Sequence, residues 1–186
     1  MLRLLAETIE IFGLNFSPGF RSNNISVMIP NVIRNSGLKM VRIIGGYAAA
    51  VLATYVFGAI FISQGNIANV IGMGFEVSVA QRFESMLHDV SNMTDLYLPV
   101  VAVSFVIALS VAAIIIRFYP GQRLVGYTLA GFAALIAVHV LVKTVFGISG
   151  IAPTRTIVGL LAQGLAGAIG GYVFHLVTAK KNLLEQ

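Results

Sequence analysis

Apolar positions in this chain run together in long blocks instead of alternating with polar ones. Four stretches, residues 43–63, 97–116, 124–146 and 156–178, are almost wholly apolar. Each reaches the roughly 20 residues that a helix needs to cross about 30 Å of hydrocarbon. No Asp or Glu falls within them, and His139, Lys143 and His175 are their only basic side chains. The pattern predicts an all-α fold: a polytopic membrane four-helix bundle occupying residues 40–186.

The intervals between the blocks are patterned differently. Across residues 77–90, Ala80, Phe83, Met86, Leu87 and Val90 share one helical face, while Gln81, Arg82, Glu84, Ser85, His88 and Asp89 cover the other. An amphipathic helix is expected in this first outer loop, on the membrane–water boundary or lidding the bundle. Ser78 followed three residues later by Gln81 is a capping-box pattern, in which each side chain satisfies the other's free backbone N–H. Thr94 is expected to cap the second crossing, with Pro99 tolerated in its first turns. Tyr119-Pro120-Gly121 forms a tight turn that makes crossings two and three antiparallel neighbours. Residues 147–153 (GISGIAP) close a hairpin of crossings three and four, with Thr154 as the expected cap.

Residues 1–39 stand apart as a cytoplasmic arm. Leu2, Leu5, Ile9 and Phe12 recur at helical spacing opposite Glu7 and Glu10, the pattern of a short interfacial helix. Ser17-Pro18-Gly19, Asn23-Asn24 and Pro30 are breakers and turn formers, which predict a loose segment over residues 15–34. Met40-Val41-Arg42 resembles a natural start, so the arm is either a weakly ordered extension or an upstream start-site misassignment. The first apolar block, at 21 residues, is longer than the core of a signal peptide, about 7–15 residues, and is read as a retained helix.

Charge orients the crossings. Arg34, Lys39 and Arg42 precede the first, Arg117 and Arg123 lie between the second and third, and Lys180 and Lys181 follow the fourth. The opposite side carries only Arg82, Lys143 and Arg155. The positive-inside rule then places both termini in the cytoplasm, N-in and C-in. Glu76, Glu84, Asp89 and Asp95 against a lone Arg82 suit a translocated segment over residues 64–96.

Composition agrees with lipid as the solvent. Of 186 residues, 58% are hydrophobic and 10% charged, against about 25% charged in a soluble domain. The net charge of +5 is assigned to juxtamembrane residues facing anionic headgroups. No basic helix or aromatic platform points to nucleic acid. The absence of cysteine excludes disulfides, thiolate metal sites and cysteine nucleophiles. With no Trp, the interface markers are Tyr47, Tyr55, Tyr97, Tyr119, Tyr127 and Tyr172.

Helix packing is written into the last crossing. Gly167 and Gly171 form a GxxxG pair, Gly164 precedes them, and Ala162, Ala166 and Gly170 make a second small-residue row. Lipid tails are as apolar as Leu, so helices associate through close van der Waals approach, which glycine permits. Either packing within the bundle or a dimer face would use these rows. Gly45, Gly46, Ala49, Ala53 and Gly58 show the same habit in the first crossing.

Polar side chains gather toward the outer side. His139 lies about 22 Å along the third crossing and Gln163 about 10 Å below the outer end of the fourth, roughly one depth. Lys143 is one turn beyond His139, and His88, Asp89 and Arg155 can approach from above. Their convergence would make a small polar pocket for a ligand. The alternatives are snorkelling of Lys143, lipid-phosphate contact by Arg155, and a single interhelical hydrogen bond from His139. No metal, cofactor or catalytic residue is assigned. His139 and His175 are about 20 Å apart, no HxxH spacing exists, and the adjacent His88 and Asp89 point about 100° apart on a helix, which defeats a Ser-His-Asp arrangement.

Leu87-His88-Asp89, then GISGIAPTRT (147–156) running into GLLAQGLAGAIGGY (159–172), resembles a family of small four-span inner-membrane proteins of bacteria over about residues 40–178. No activity attaches to that family, so the resemblance implies localisation and topology only. The leading expectation is a non-enzymatic accessory or assembly subunit acting through helix contacts with a membrane-protein partner or a second copy. The alternative is a small transporter or a lipid or small-molecule binder using the polar pocket.

Overall fold

The computed structural model describes residues 23–147 and 151–179, with side chains from residue 37 onward. The interfacial helix expected over residues 2–12 lies outside the described residues. The chain divides into two units, Met1–Val41 and Arg42–Gln186. Five α-helices are present among the described residues: α1 (Asn23–Gly72), α2 (Val79–Asn92), α3 (Tyr97–Phe118), α4 (Arg123–Phe146) and α5 (Ile157–Thr178). Short 3₁₀ turns, Pro120–Gln122 and Ala152–Arg155, lead into α4 and α5. Four helical segments are long and apolar enough to cross a membrane: Gly37–Gly72, Tyr97–Phe118, Pro120–Val145 and Ile157–Thr178. Their outward surfaces are apolar too, with Val103, Val106, Ile107, Val111, Ile114 and Ile115 of α3 all exposed. A continuous exposed surface of that kind fits a hydrocarbon solvent and would be an aggregation liability in water.

α1 departs from expectation at both ends. It starts at Asn23, within the segment expected to be loose, and continues to Gly72, past the apolar block that ends at residue 63. Once a helix is nucleated, each added residue gains a hydrogen bond for the ordering of one residue, so isolated breakers need not end it. From Arg42 onward it measures about 46 Å at 1.5 Å per residue, well beyond a hydrocarbon thickness of about 30 Å. Its last turns, past the apolar block, form a wall facing α2.

The capping expectations divide. The Ser78–Gln81 box is formed: the Ser78 N–H donates to Gln81 Oε1 at 2.8 Å and the Gln81 N–H to Ser78 Oγ at 3.3 Å. Thr94 does not cap α3; Leu96 occupies that position without a side-chain bond, and Thr94 turns to Asp95 instead. Thr154 does not cap α5 either. It sits in the 3₁₀ turn and donates to the Ile151 carbonyl at 2.7 Å, while Thr156 accepts from the Gly159 N–H at 3.1 Å. The extra turn contributed by Pro153 shifts the helix start by two residues. Gly147 closes α4 with φ +68°, the left-handed geometry that glycine adopts without a Cβ penalty.

α5 is the centre of the bundle. A Cβ on Gly131 or on Gly167 would run into the other's backbone carbonyl, and one on Gly171 into the Tyr127 carbonyl, so α4 and α5 cross at backbone contact. Gly164 receives the Phe132 ring. Gly170, from the second row, faces α1 instead: a Cβ there would lie 2.7 Å from the Ala50 carbonyl oxygen. The two small-residue rows thus serve two different neighbours within one chain. Phe105, Val101 and Leu109 of α3 and Leu135 of α4 fill the space between.

Candidate functional site

Tyr97 begins α3 and Gln163 lies two turns into α5, and their side chains meet in the interior. Gln163 is 1% exposed. Its Oε1 accepts from the Tyr97 hydroxyl at 2.5 Å, and its Nε2 donates to the Gly58 carbonyl of α1 at 3.2 Å. Gly58 is required there, since a Cβ would overlap the Tyr97 hydroxyl. One amide therefore ties three helices with its polar atoms satisfied, which is the arrangement that makes an intramembrane polar side chain tolerable. His139 lies beside Gln163, half-buried, and its Nε2 has no hydrogen-bond partner.

The six tyrosines differ in their surroundings. Tyr55, Tyr97 and Tyr127 are buried. Tyr47 is half-buried, and its hydroxyl donates to the Ala102 carbonyl at 2.8 Å. Tyr119 and Tyr172 are exposed.

At the α2 end, the overhanging turns of α1, the linker to α2 and one face of α2 enclose an open groove of about 660 Å³. Its polar lining is Ser63 and Asn66 from α1, Glu76 from the linker, and Gln81, Glu84, Ser85, His88 and Asp89 from α2. Apolar Ile67, Val70 and Phe75 line it too. No Lys or Arg lines it. Ser63 is 1% exposed and its hydroxyl has no hydrogen-bond partner. Two bonds hold α2 against α1: the Tyr55 hydroxyl donates to the Val90 carbonyl at 2.5 Å, and Arg82 donates to Gln64 Oε1 at 3.3 Å. Tyr55 also lies against Tyr97, ring centroids 5.9 Å apart, which links the α2 attachment to the Gln163 network.

The six polar residues singled out in the sequence do not converge on one pocket. His88 and Asp89 line the groove without His139, Lys143, Arg155 or Gln163. Lys143 and Arg155 are exposed, as long cations are when the alternative is desolvation. Gln163 turns inward, where α1 and α3 supply its partners. Among the described residues, no three His, Asp or Glu side chains gather closely enough to hold a metal ion.

At the opposite end, two arginines cover the last turn of α5. Arg42 donates to the Val177 carbonyl at 3.3 Å and also to that of Ala179. Arg123 donates to the Thr178 carbonyl at 3.1 Å and to Thr178 Oγ1 at 2.9 Å. It also lies 5.6 Å from the centroid of the Tyr127 ring. Free carbonyls and the negative end of the helix dipole both favour cations there.

A third feature lies along the bundle. A groove of about 680 Å³ runs between α3 and α4; its lining is almost wholly apolar and mixes small residues, Ala108 and Ala112 on one side and Gly126, Ala130, Ala133 and Ala137 on the other, with larger ones such as Ile107, Val111, Leu129 and Leu141.

Gly58 belongs to the small-residue pattern noted in the first crossing, whereas neither Gly131 nor the Tyr97 hydroxyl stands out in the sequence. Comparison of the chain with protein families, with curated proteins and with solved structures finds no match.

Proposed function

We propose that this chain is a non-enzymatic, multi-pass subunit of a bacterial inner membrane, an accessory or assembly factor that receives a transmembrane helix of another protein. The observation that carries the reading is the α3–α4 groove, an apolar channel in which small residues of both helices, among them Ala108, Ala112, Ala133 and Ala137, alternate in the lining with larger ones such as Ile107, Val111 and Leu141. Small side chains let a helix approach at backbone distance, where it gains contacts that a mobile lipid tail does not hold. The glycine rows of α5 are already covered within the chain, so they do not compete for this role. The start of the first crossing and the end of the last face the cytoplasm, a placement supported by Arg42, Arg117 and Arg123 at that end.

The test is a photo-crosslinking residue at exposed Ala133 or Ala137 in native membranes, with exposed Ile114, outside the groove, as control. The groove positions yield one discrete protein adduct and the control does not. Ala133→Leu with Ala137→Leu abolishes that adduct without lowering the amount of protein in the membrane. Lipid adducts alone, equal at all positions, would remove the reading.

A second reading, a small-molecule binder or transporter, is favoured by the groove at the α2 end, which holds His88 and Asp89 among its lining residues.

A further inference from the structure

The groove between α1 and α2 has a chemistry that narrows its occupant. Three carboxylates, Glu76, Glu84 and Asp89, line it together with His88 and without a Lys or Arg; Arg82, the nearby cation of α2, is bonded to Gln64. They are not gathered for one ion, since no three acidic or His groups come within range of a common metal. They are strung out instead: Glu84 and Asp89 are separated by about 7.5 Å along the α2 axis at the helical rise, and Glu76 stands beyond them on the linker. Apolar Ile67, Val70 and Phe75 line the same groove. On the buried side Ser63, nine-tenths and more enclosed, has a hydroxyl with no partner in the protein. A volume of about 660 Å³ is within the range that takes a small molecule, roughly 300–1,000 Å³.

We propose that this groove binds a linear aliphatic polyamine, its ammonium groups facing the spaced carboxylates and its methylene runs covering Ile67, Val70 and Phe75. A point cation would satisfy one carboxylate and leave the apolar lining wet. A polyamine can meet both kinds of lining, because it carries charges and methylenes along one chain. Ser63 supplies an acceptor for an ammonium proton on the buried side. The proposal rests on the small-molecule reading of this end and is independent of the α3–α4 groove.

The full chain in nanodiscs of zwitterionic phosphatidylcholine, titrated calorimetrically with spermidine, tests it. Saturable binding is expected, weakened by added NaCl, as for partly exposed charge pairs. Glu84→Gln combined with Asp89→Asn should weaken it about tenfold, two exposed ion pairs being lost. Ser63→Ala should weaken it about threefold, the worth of one neutral hydrogen bond. If the double variant fails to accumulate, Glu76→Gln, on the linker outside any helix, gives the same readout. Unchanged affinity in these variants overturns the proposal. So does displacement of spermidine by MgCl₂ at equal ionic strength, or tighter binding of tetralysine, which would assign the groove to a basic peptide. Saturable binding of a neutral or anionic probe without spermidine would sink the polyamine and keep a small-molecule site. Silence to every probe would sink both, and neither outcome touches the helix-partner reading.

Discussion

The two ends of the Arg42–Gln186 unit treat their polar groups in opposite ways. Where α5 finishes, Arg42 and Arg123 reach across from α1 and α4 and donate to the carbonyls of Val177, Thr178 and Ala179. Where α2 sits, three carboxylates line an open groove that no Lys or Arg lines, and the Ser63 hydroxyl is left without a bond. Carbonyls already bonded to an arginine have less to offer another molecule. An unpaired buried polar atom beside unneutralised charge costs stability. The contrast separates a terminus whose polar groups are paired within the chain from one that, on the reading proposed above, meets a ligand.

The largest effect is expected where the two ends are joined, at the α4–α5 crossing. Gly167→Leu drives a side chain into the Gly131 carbonyl, and the helices must separate. A loss of about 4 kcal/mol or more follows, read as failure to recover a monodisperse protein from mild detergent. A variant that elutes and melts like the parent would break the account of the core.

Next comes the arginine end. Arg123→Ala removes the bonds to the Thr178 carbonyl and hydroxyl and should lower stability by about 2 kcal/mol, as hydrogen bonds to charged groups do. Thermal unfolding in micelles measures it. Arg123→Lys should recover only part, since an ammonium lacks the planar fork. An unaltered transition in Arg123→Ala would mean that this end is no more committed to structure than the other.

The smallest effect belongs to the α2 end. Ser78→Ala opens the capping box and costs about 1 kcal/mol locally. Hydrogen exchange should quicken in α2 while the global transition holds its position. If the whole molecule melts earlier, α2 is part of the core and the contrast between the ends is lost.

Much of this arrangement was legible before any coordinates. The apolar blocks at residues 97–116, 124–146 and 156–178 end within two residues of α3, α4 and α5, since a hydrocarbon solvent demands apolar character along the whole length of a helix. The capping box was legible because both partners lie within one turn. The overhang of α1 was not: Gln64-Gly65-Asn66 interrupts the apolar run, and hydropathy registers the loss of lipid, not the persistence of helix. Nor was the role of Tyr97, whose partner is 66 positions away. Gly131 escaped notice for the same reason, since a close approach belongs to a pair of backbones and leaves no mark on either segment alone. The polar residues at one depth were correctly seen as unusual, but depth does not say which way a side chain turns. Gln163 turns inward, and His88 and Asp89 belong to a groove that the linker and the overhang create.

Because α5 supplies the Gln163 amide, both small-residue rows and the carbonyls that occupy two arginines, it is the keystone of the bundle, and among these helices the ribosome delivers it last. Until that segment emerges, Tyr97, Arg42 and Arg123 have no native acceptor, and the backbone at Gly131 faces tails instead of a neighbour. A nascent chain of this kind waits in the bilayer as loosely associated hairpins and locks in a single late step. A chain halted before residue 157 thus carries unmet donors, a clear signal for membrane proteases to remove it.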